Sequence, residues 1–157
     1  MWGLWRRSGI QLLDGGAEVD AKKDGATPLF VACEGGHVDA VRLLLDKGSE
    51  IDRTSTWNKT EGVTSLMVAT FGSHINVMRL LLERDADLEA ITEANGDTAL
   101  LVACACGRVD AARLLLERGA DVTRAAVSGP GRGMDALAVA KYTKQAAVVA
   151  LLEEHQK

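Results

Sequence analysis

The chain writes one unit several times. The segments "TPLFVACEGGHVDAVRLLLDKGSEID", "TSLMVATFGSHINVMRLLLERDADLE" and "TALLVACACGRVDAARLLLERGADVT" begin at Thr27, Thr64 and Thr98 and align over 26 residues without a gap. A weaker fourth copy, "DALAVAKYTKQAAVVALLEEH", begins at Asp135, and "QLLDGGAEVD" (11–20) matches only the end of the unit. Spacing inside the unit never changes, so all length variation falls in the connectors. Such a chain cannot bury each unit alone; it must stack them, with variable loops on one face.

Each unit reads as two short helices. A Thr precedes the first, where its hydroxyl can cap the helix, and Pro28 takes the favoured first helical position in one copy. In the second helix the apolar residues Val38, Val41, Leu44 and Leu45 recur as Val109, Ala112, Leu115 and Leu116, which share one helical face. Gly48 and Gly119 then supply the left-handed residue that ends the helix, beside Lys47 and Arg118, which complement its dipole. The whole chain reads as a single domain, 1–157, with units near 1–20 (partial), 21–52, 53–89, 90–123 and 124–157.

These residues resemble the ankyrin repeat, whose pattern is G-x-TPLH-x-A-x-x-GH-x-x-x-V-x-LLL-x-x-GA-x-x-N. The resemblance covers about residues 9 to 155 and recurs in register. It implies an all-α solenoid of stacked antiparallel helix pairs with β-hairpin-like fingers and a concave face that binds other proteins. The copies also depart from the pattern. Phe30, Met67, Leu101 and Ala138 stand at the His of TPLH, so apolar packing should replace its hydrogen bonds. Asp85 replaces the capping Gly, and Asp20, Asp52, Glu89 and Thr123 replace the terminal Asn, so the hydroxylation common at that Asn is not expected. At the ends, Glu153 stands where earlier copies have Leu45, Leu82 and Leu116, as a terminal repeat requires. Arg6 and Gly9 stand where later copies have Val38 and Val41, so either Trp2 and Trp5 form an improvised lid or the natural chain begins further upstream.

Composition excludes several functions. The net charge of −4 argues against a phosphate-tracking nucleic-acid binder, and six aromatic residues are too few for a base-stacking platform. There is no apolar run long enough for a membrane span or a signal peptide. Cys33, Cys104 and Cys106 lack metal or disulfide spacing, which points to a reducing, cytoplasmic (or nuclear) setting. The Asn58-Lys59-Thr60 sequon is then a chance match.

No enzyme is visible, and no cofactor or metal is expected. His37, His74 and His155 do not have ligand spacing; His37 and His74 share one repeat position, which the resemblance implies is a structural cap of the inter-helix turn. Cys33 and Cys104 occupy the small-residue slot of helix one and read as core, whereas Cys106 is expected to face the concave surface. "SGPGRGMD" (128–135) lacks the ending of a phosphate loop and reads as a flexible finger. Arg42, Arg79 and Arg113 form an outer row, but Asp46, Glu83 and Glu117, four residues on, are expected to neutralise it.

The connectors carry the functional signal. They advance 7, 12, 9 and 12 residues, so the second and fourth fingers are lengthened. Loops of this kind carry function on a rigid scaffold. The resemblance places partner contacts at finger tips and exposed helix-one positions. On the fingers these are Lys22, Lys23, Trp57, Asn58, Lys59, Glu93, Asn95 and Arg132; on the inner helices they are Glu34, Phe71, Ala105 and Tyr142. The expected function is protein binding by a scaffold acting as adaptor or inhibitor. The alternative is a regulatory module that binds a small ligand or nucleotide between fingers as part of a larger enzyme. The partner is expected to be another protein, not nucleic acid or membrane. The chain is expected to be a monomer unless the incomplete N-terminal unit drives self-association. Trp57 is the oddity, a large aromatic in the polar run "RTSTWNKTEG", to be either a partner anchor or a cover for a neighbouring finger.

Overall fold

The computed structural model describes residues 18–129 and 131–156. The readings made on Trp2, Trp5, Arg6 and Gly9 lie outside the described residues. Among the described residues, four helix pairs follow one another along the chain. They are α1 (Pro28–Glu34) with α2 (Val38–Asp46), α3 (Ser65–Phe71) with α4 (Ile75–Glu83), α5 (Ala99–Cys106) with α6 (Val109–Glu117), and α7 (Ala136–Tyr142) with α8 (Ala146–His155). First helices stack on first helices and second on second, each against its neighbours in sequence. This is the quasi-one-dimensional packing of a repeat array.

The repeated caps start the helices. The hydroxyls of Thr27, Thr64 and Thr98 accept from the backbone N–H groups of Phe30, Met67 and Leu101 at 3.2, 3.3 and 3.3 Å. In the fourth copy the Asp135 carboxylate accepts from the Ala138 N–H at 2.8 Å. Each such bond satisfies one of the free donors at a helix start. The apolar stripes then form one core through all copies, including Leu29, Val41, Met67, Met78, Leu100 and Leu115. Phe30, Met67 and Leu101, at the former His position, are no more than 2% exposed, as apolar substitutes require. Met67 does more than fill space: its sulfur accepts from the Thr64 N–H at 3.5 Å and closes a capping box.

At the ends of the second helices, Gly48 and Gly119 adopt φ of 91° and 87°. Asp85 is held in the same left-handed region at φ 62°. The expected pairing along the outer face is not what forms. Among the described residues, Asp46 pairs with Arg84 of the next copy at 2.9 Å, and no ion pair joins Arg42, Arg79 or Arg113 to the carboxylate four residues on. The neighbouring repeat offers Asp46 a cation whose position is set by the stack, so the partner comes from across the interface. Glu153, the substitute for the recurring Leu, pairs with Lys141 at 3.0 Å.

The fingers differ in form. The second is a true hairpin: β1 (Ser55–Trp57) pairs antiparallel with β2 (Thr60–Val63) around Asn58 and Lys59, whose φ values of 47° and 67° suit a two-residue hairpin turn. The first shows an isolated bridge between Lys23 and Ala26. The fourth closes through Ala126 N–H to Met134 O and Gly133 N–H to Ala126 O, at 3.2 and 2.8 Å. Each finger is tied to the one before by a backbone bond: Thr56 N–H to Gly25 O, Glu93 N–H to Glu61 O, and Val127 N–H to Asn95 O, at 3.0, 3.1 and 2.8 Å. The fit leaves no room at Gly62, where a Cβ would lie 2.6 Å from the Glu93 nitrogen. Extra finger length therefore sits outside a continuous line of hydrogen bonds. That is why the spacing inside the unit survives it.

Candidate functional site

The inner helices and fingers two to four enclose a groove of about 320 Å³. Its lining follows the repeat register. Val63, Asp97 and Met134 come from the position just before each helix-one cap, and Phe71, Ala105 and Tyr142 from the end of helix one. Trp57 and Thr60 close one side, and Asn95, Ala126 and Ser128 come from the later fingers.

Trp57 is half-buried, and its partners lie on the inner helices of its own repeat and of the preceding one. Its ring meets Phe71 edge-on with centroids 4.7 Å apart, and its indole N–H donates to the Glu34 carboxylate at 2.8 Å. The Arg108 guanidinium lies 5.9 Å from the Phe71 ring centroid, and its Nε–H donates to the Phe71 carbonyl at 2.9 Å. Glu34, Trp57, Phe71 and Arg108 thus form one connected row across three copies. Trp57 packs on the ends of two inner helices. Its polar neighbours in the chain gave no sign of this, because the apolar surface it needs lies 14 residues downstream, at Phe71.

The register of His74 and Arg108 explains a second feature. Both occupy the residue before helix two, and both donate to the last carbonyl of the preceding copy's first helix. His74 Nε2 reaches the Glu34 carbonyl at 2.9 Å, as Arg108 Nε reaches that of Phe71. With a carbonyl as acceptor, the hydrogen of His74 is on Nε2. Neither His37 nor His74 forms a side-chain cap bond to its own helix, so the capping read for them is not what forms; the bond of His74 ties two repeats together instead.

Of the residues expected to contact a partner, the groove gathers Trp57, Phe71, Asn95, Ala105 and Tyr142. Phe71 and Tyr142 are 39% and 61% exposed. Glu34 is held by Trp57 at its edge. Lys22, Lys23, Asn58, Lys59, Glu93 and Arg132 are exposed on the fingers and do not line the groove. Cys106 lines it, as expected, while Cys33 and Cys104 are buried in the core. Burial pushes both core thiols up to about 12, which keeps them protonated and unreactive.

Asp97 is the groove residue that sequence reasoning missed. Its position is Ala26, Val63 and Met134 in the other copies, so a charge there breaks an apolar row. That contrast was available in the alignment of the copies. Asp97 is half-buried, receives a bond from the Asn95 amide at 3.3 Å, and has its backbone N–H on the Thr92 hydroxyl at 3.1 Å. Desolvation holds its carboxyl above the usual carboxylate range, against the lowering effect of the Asn95 bond.

A family model described as ankyrin repeats (3 copies) matches residues 9–55 and 55–126. The chain belongs to the ankyrin-repeat family. No curated protein matches it. The fourth helix pair lies beyond the matched residues, yet α7 stacks on α5 and α8 on α6 as the earlier copies do. Ankyrin repeats are generically non-catalytic scaffolds capable of protein–protein interaction. Among the described residues there is no group of three or more His, Cys, Asp or Glu side chains placed to hold a metal.

Proposed function

We propose that this ankyrin-repeat chain binds another protein through its concave face, as an adaptor or an inhibitor. The groove between fingers two and four carries this reading. It joins exposed Phe71 and Tyr142 to a floor of small and apolar residues, on helices whose relative positions are set by the core. Rigid placement of aromatic anchors lowers the ordering cost of binding, and aromatic residues dominate interface energetics. A nucleotide is the poorer occupant, because Asp97 is the charged residue lining the groove and would repel phosphate.

Affinity capture from cell extract tests the reading, comparing the wild type with Tyr142→Ala combined with Asn95→Ala. Proteins captured by the wild type and lost by the variant, at unchanged unfolding midpoint, support the concave face. Equal capture by both would place binding elsewhere. A thermal shift with nucleotides, together with no captured protein, would favour the small-ligand module.

A further inference from the structure

The groove has two features that plain apolar complementarity does not use. The first is a gap in the aromatic row. Phe71 and Tyr142 stand on either side of Ala105 in the register of successive first helices, so the middle copy contributes a methyl group where its neighbours contribute rings. Met67, Leu101 and Val102 line the groove with them, and we take the space over Ala105 as an apolar socket. The second is Asp97, in the same copy as Ala105. No ion pair satisfies it among the described residues, and no Lys or Arg lines the groove with it. The Asn95 amide uses one of its acceptor positions, and a carboxylate has several.

We propose that the groove takes an extended segment of the partner protein that seats a bulky apolar side chain over Ala105 and sets a Lys or Arg against Asp97. The proposal rests on the concave-face reading and adds the chemistry of its partner. At 1.5 Å per residue, the eight steps from Asp97 to Ala105 cover about 12 Å, which about four residues of extended chain would span, an even spacing that turns both side chains to one face. An incoming cation would offset the desolvation of Asp97, whereas an acidic segment would meet an uncompensated carboxylate in a low-dielectric groove. The apolar side chain would displace water from the socket and supply the central buried contact that binding surfaces need.

Selection of a random displayed-peptide library on the whole chain tests this. Enriched peptides should carry a large apolar residue and a Lys or Arg about four positions apart. The best of them, made synthetically, should bind at least about 10-fold more weakly to Asp97→Asn and to Ala105→Tyr, and should weaken similarly when its own basic residue becomes Glu. Ala105→Tyr copies the residue that the next repeat already carries in this register; Ala105→Leu gives a smaller filler should the larger one disturb folding.

Peptides without a basic residue, or with unchanged affinity for both Asp97→Asn and the Ala105 variants, would overturn the proposal, as would failure to select any peptide. Tyr142→Ala separates the two levels. Loss of binding there, with indifference to Asp97→Asn and the Ala105 variants, would leave the concave face standing and remove this partner chemistry. Indifference to all of these substitutions would remove both.

Discussion

The indole N–H of Trp57 donates to the carboxylate of Glu34, a residue of the preceding repeat, at 2.8 Å. The bond fixes the ring of a finger residue over the end of an inner helix, where it meets Phe71 of its own repeat edge-on. A lengthened loop is thereby fastened to the stack on the side where the groove opens. Replacing Trp57 with Ala should lower stability, and a double-mutant cycle with Phe71→Ala should return a coupling of about 0.5–1.5 kcal/mol beyond the additive losses. Denaturant midpoints of the four proteins measure it; additive losses would mean that the rings are merely neighbours.

Asp85 adopts the left-handed conformation that Gly48 and Gly119 adopt at the same position. A side chain there costs about 1 kcal/mol relative to glycine. Asp85→Gly should raise the unfolding midpoint by that order, less the part returned to the unfolded chain by its greater freedom. An unchanged or lower midpoint in thermal unfolding would contradict the assignment.

The two donors that cross between repeats should each contribute. His74→Ala removes the bond to the Glu34 carbonyl, and Arg108→Ala removes the one to Phe71. Each loss should destabilise by about 0.5–1.5 kcal/mol, the net worth of a typical hydrogen bond. Hydrogen exchange checks the location, since faster exchange should concentrate at the junction that each donor spans.

The residues closing three of the copies make a related bond. Carboxylates of Asp20, Asp52 and Glu89 accept from the backbone N–H groups of Glu50, Asp87 and Asp121 in the next copy, each at 2.9 Å. This explains how acidic residues serve where the family carries Asn: the role is that of an acceptor. At Asp52, desolvation raises the carboxyl above its ordinary value, the Asp87 N–H opposes this, and the Asp87 charge adds to it. A carboxyl raised in the folded state binds protons there more readily than when unfolded, so its contribution worsens as pH rises through that window. Asp52→Asn keeps the acceptor and removes the charge. It should equal or slightly exceed the wild type at pH 7, and the difference should vanish below the ordinary carboxylate range, where Asp52 is neutral in both states. Midpoints followed across pH decide it; an Asn variant weaker at pH 7 would show that the charge strengthens the bond more than burial penalises it.

How far the sequence reached differs by type of interaction. The recurrence of Thr27, Thr64 and Thr98, the second-helix apolar stripe, and Gly48 with Gly119 determined the repeats, helix starts and stops, and much of the core. These signals are local: a cap or a stripe is a relation between residues a few positions apart, and steric and hydrogen-bonding rules act at that range. The aligned copies also exposed Phe71, Ala105 and Tyr142 as contrasts at one position.

Only the tertiary structure decided how repeats meet. Asp46 chose Arg84 over its helical neighbours, Trp57 turned to Glu34 and Phe71, and Asp97 came to lie among apolar walls. Each outcome depends on the offset of one layer against the next. That offset comes from the close packing of whole helices and is not written in any single spacing along the chain.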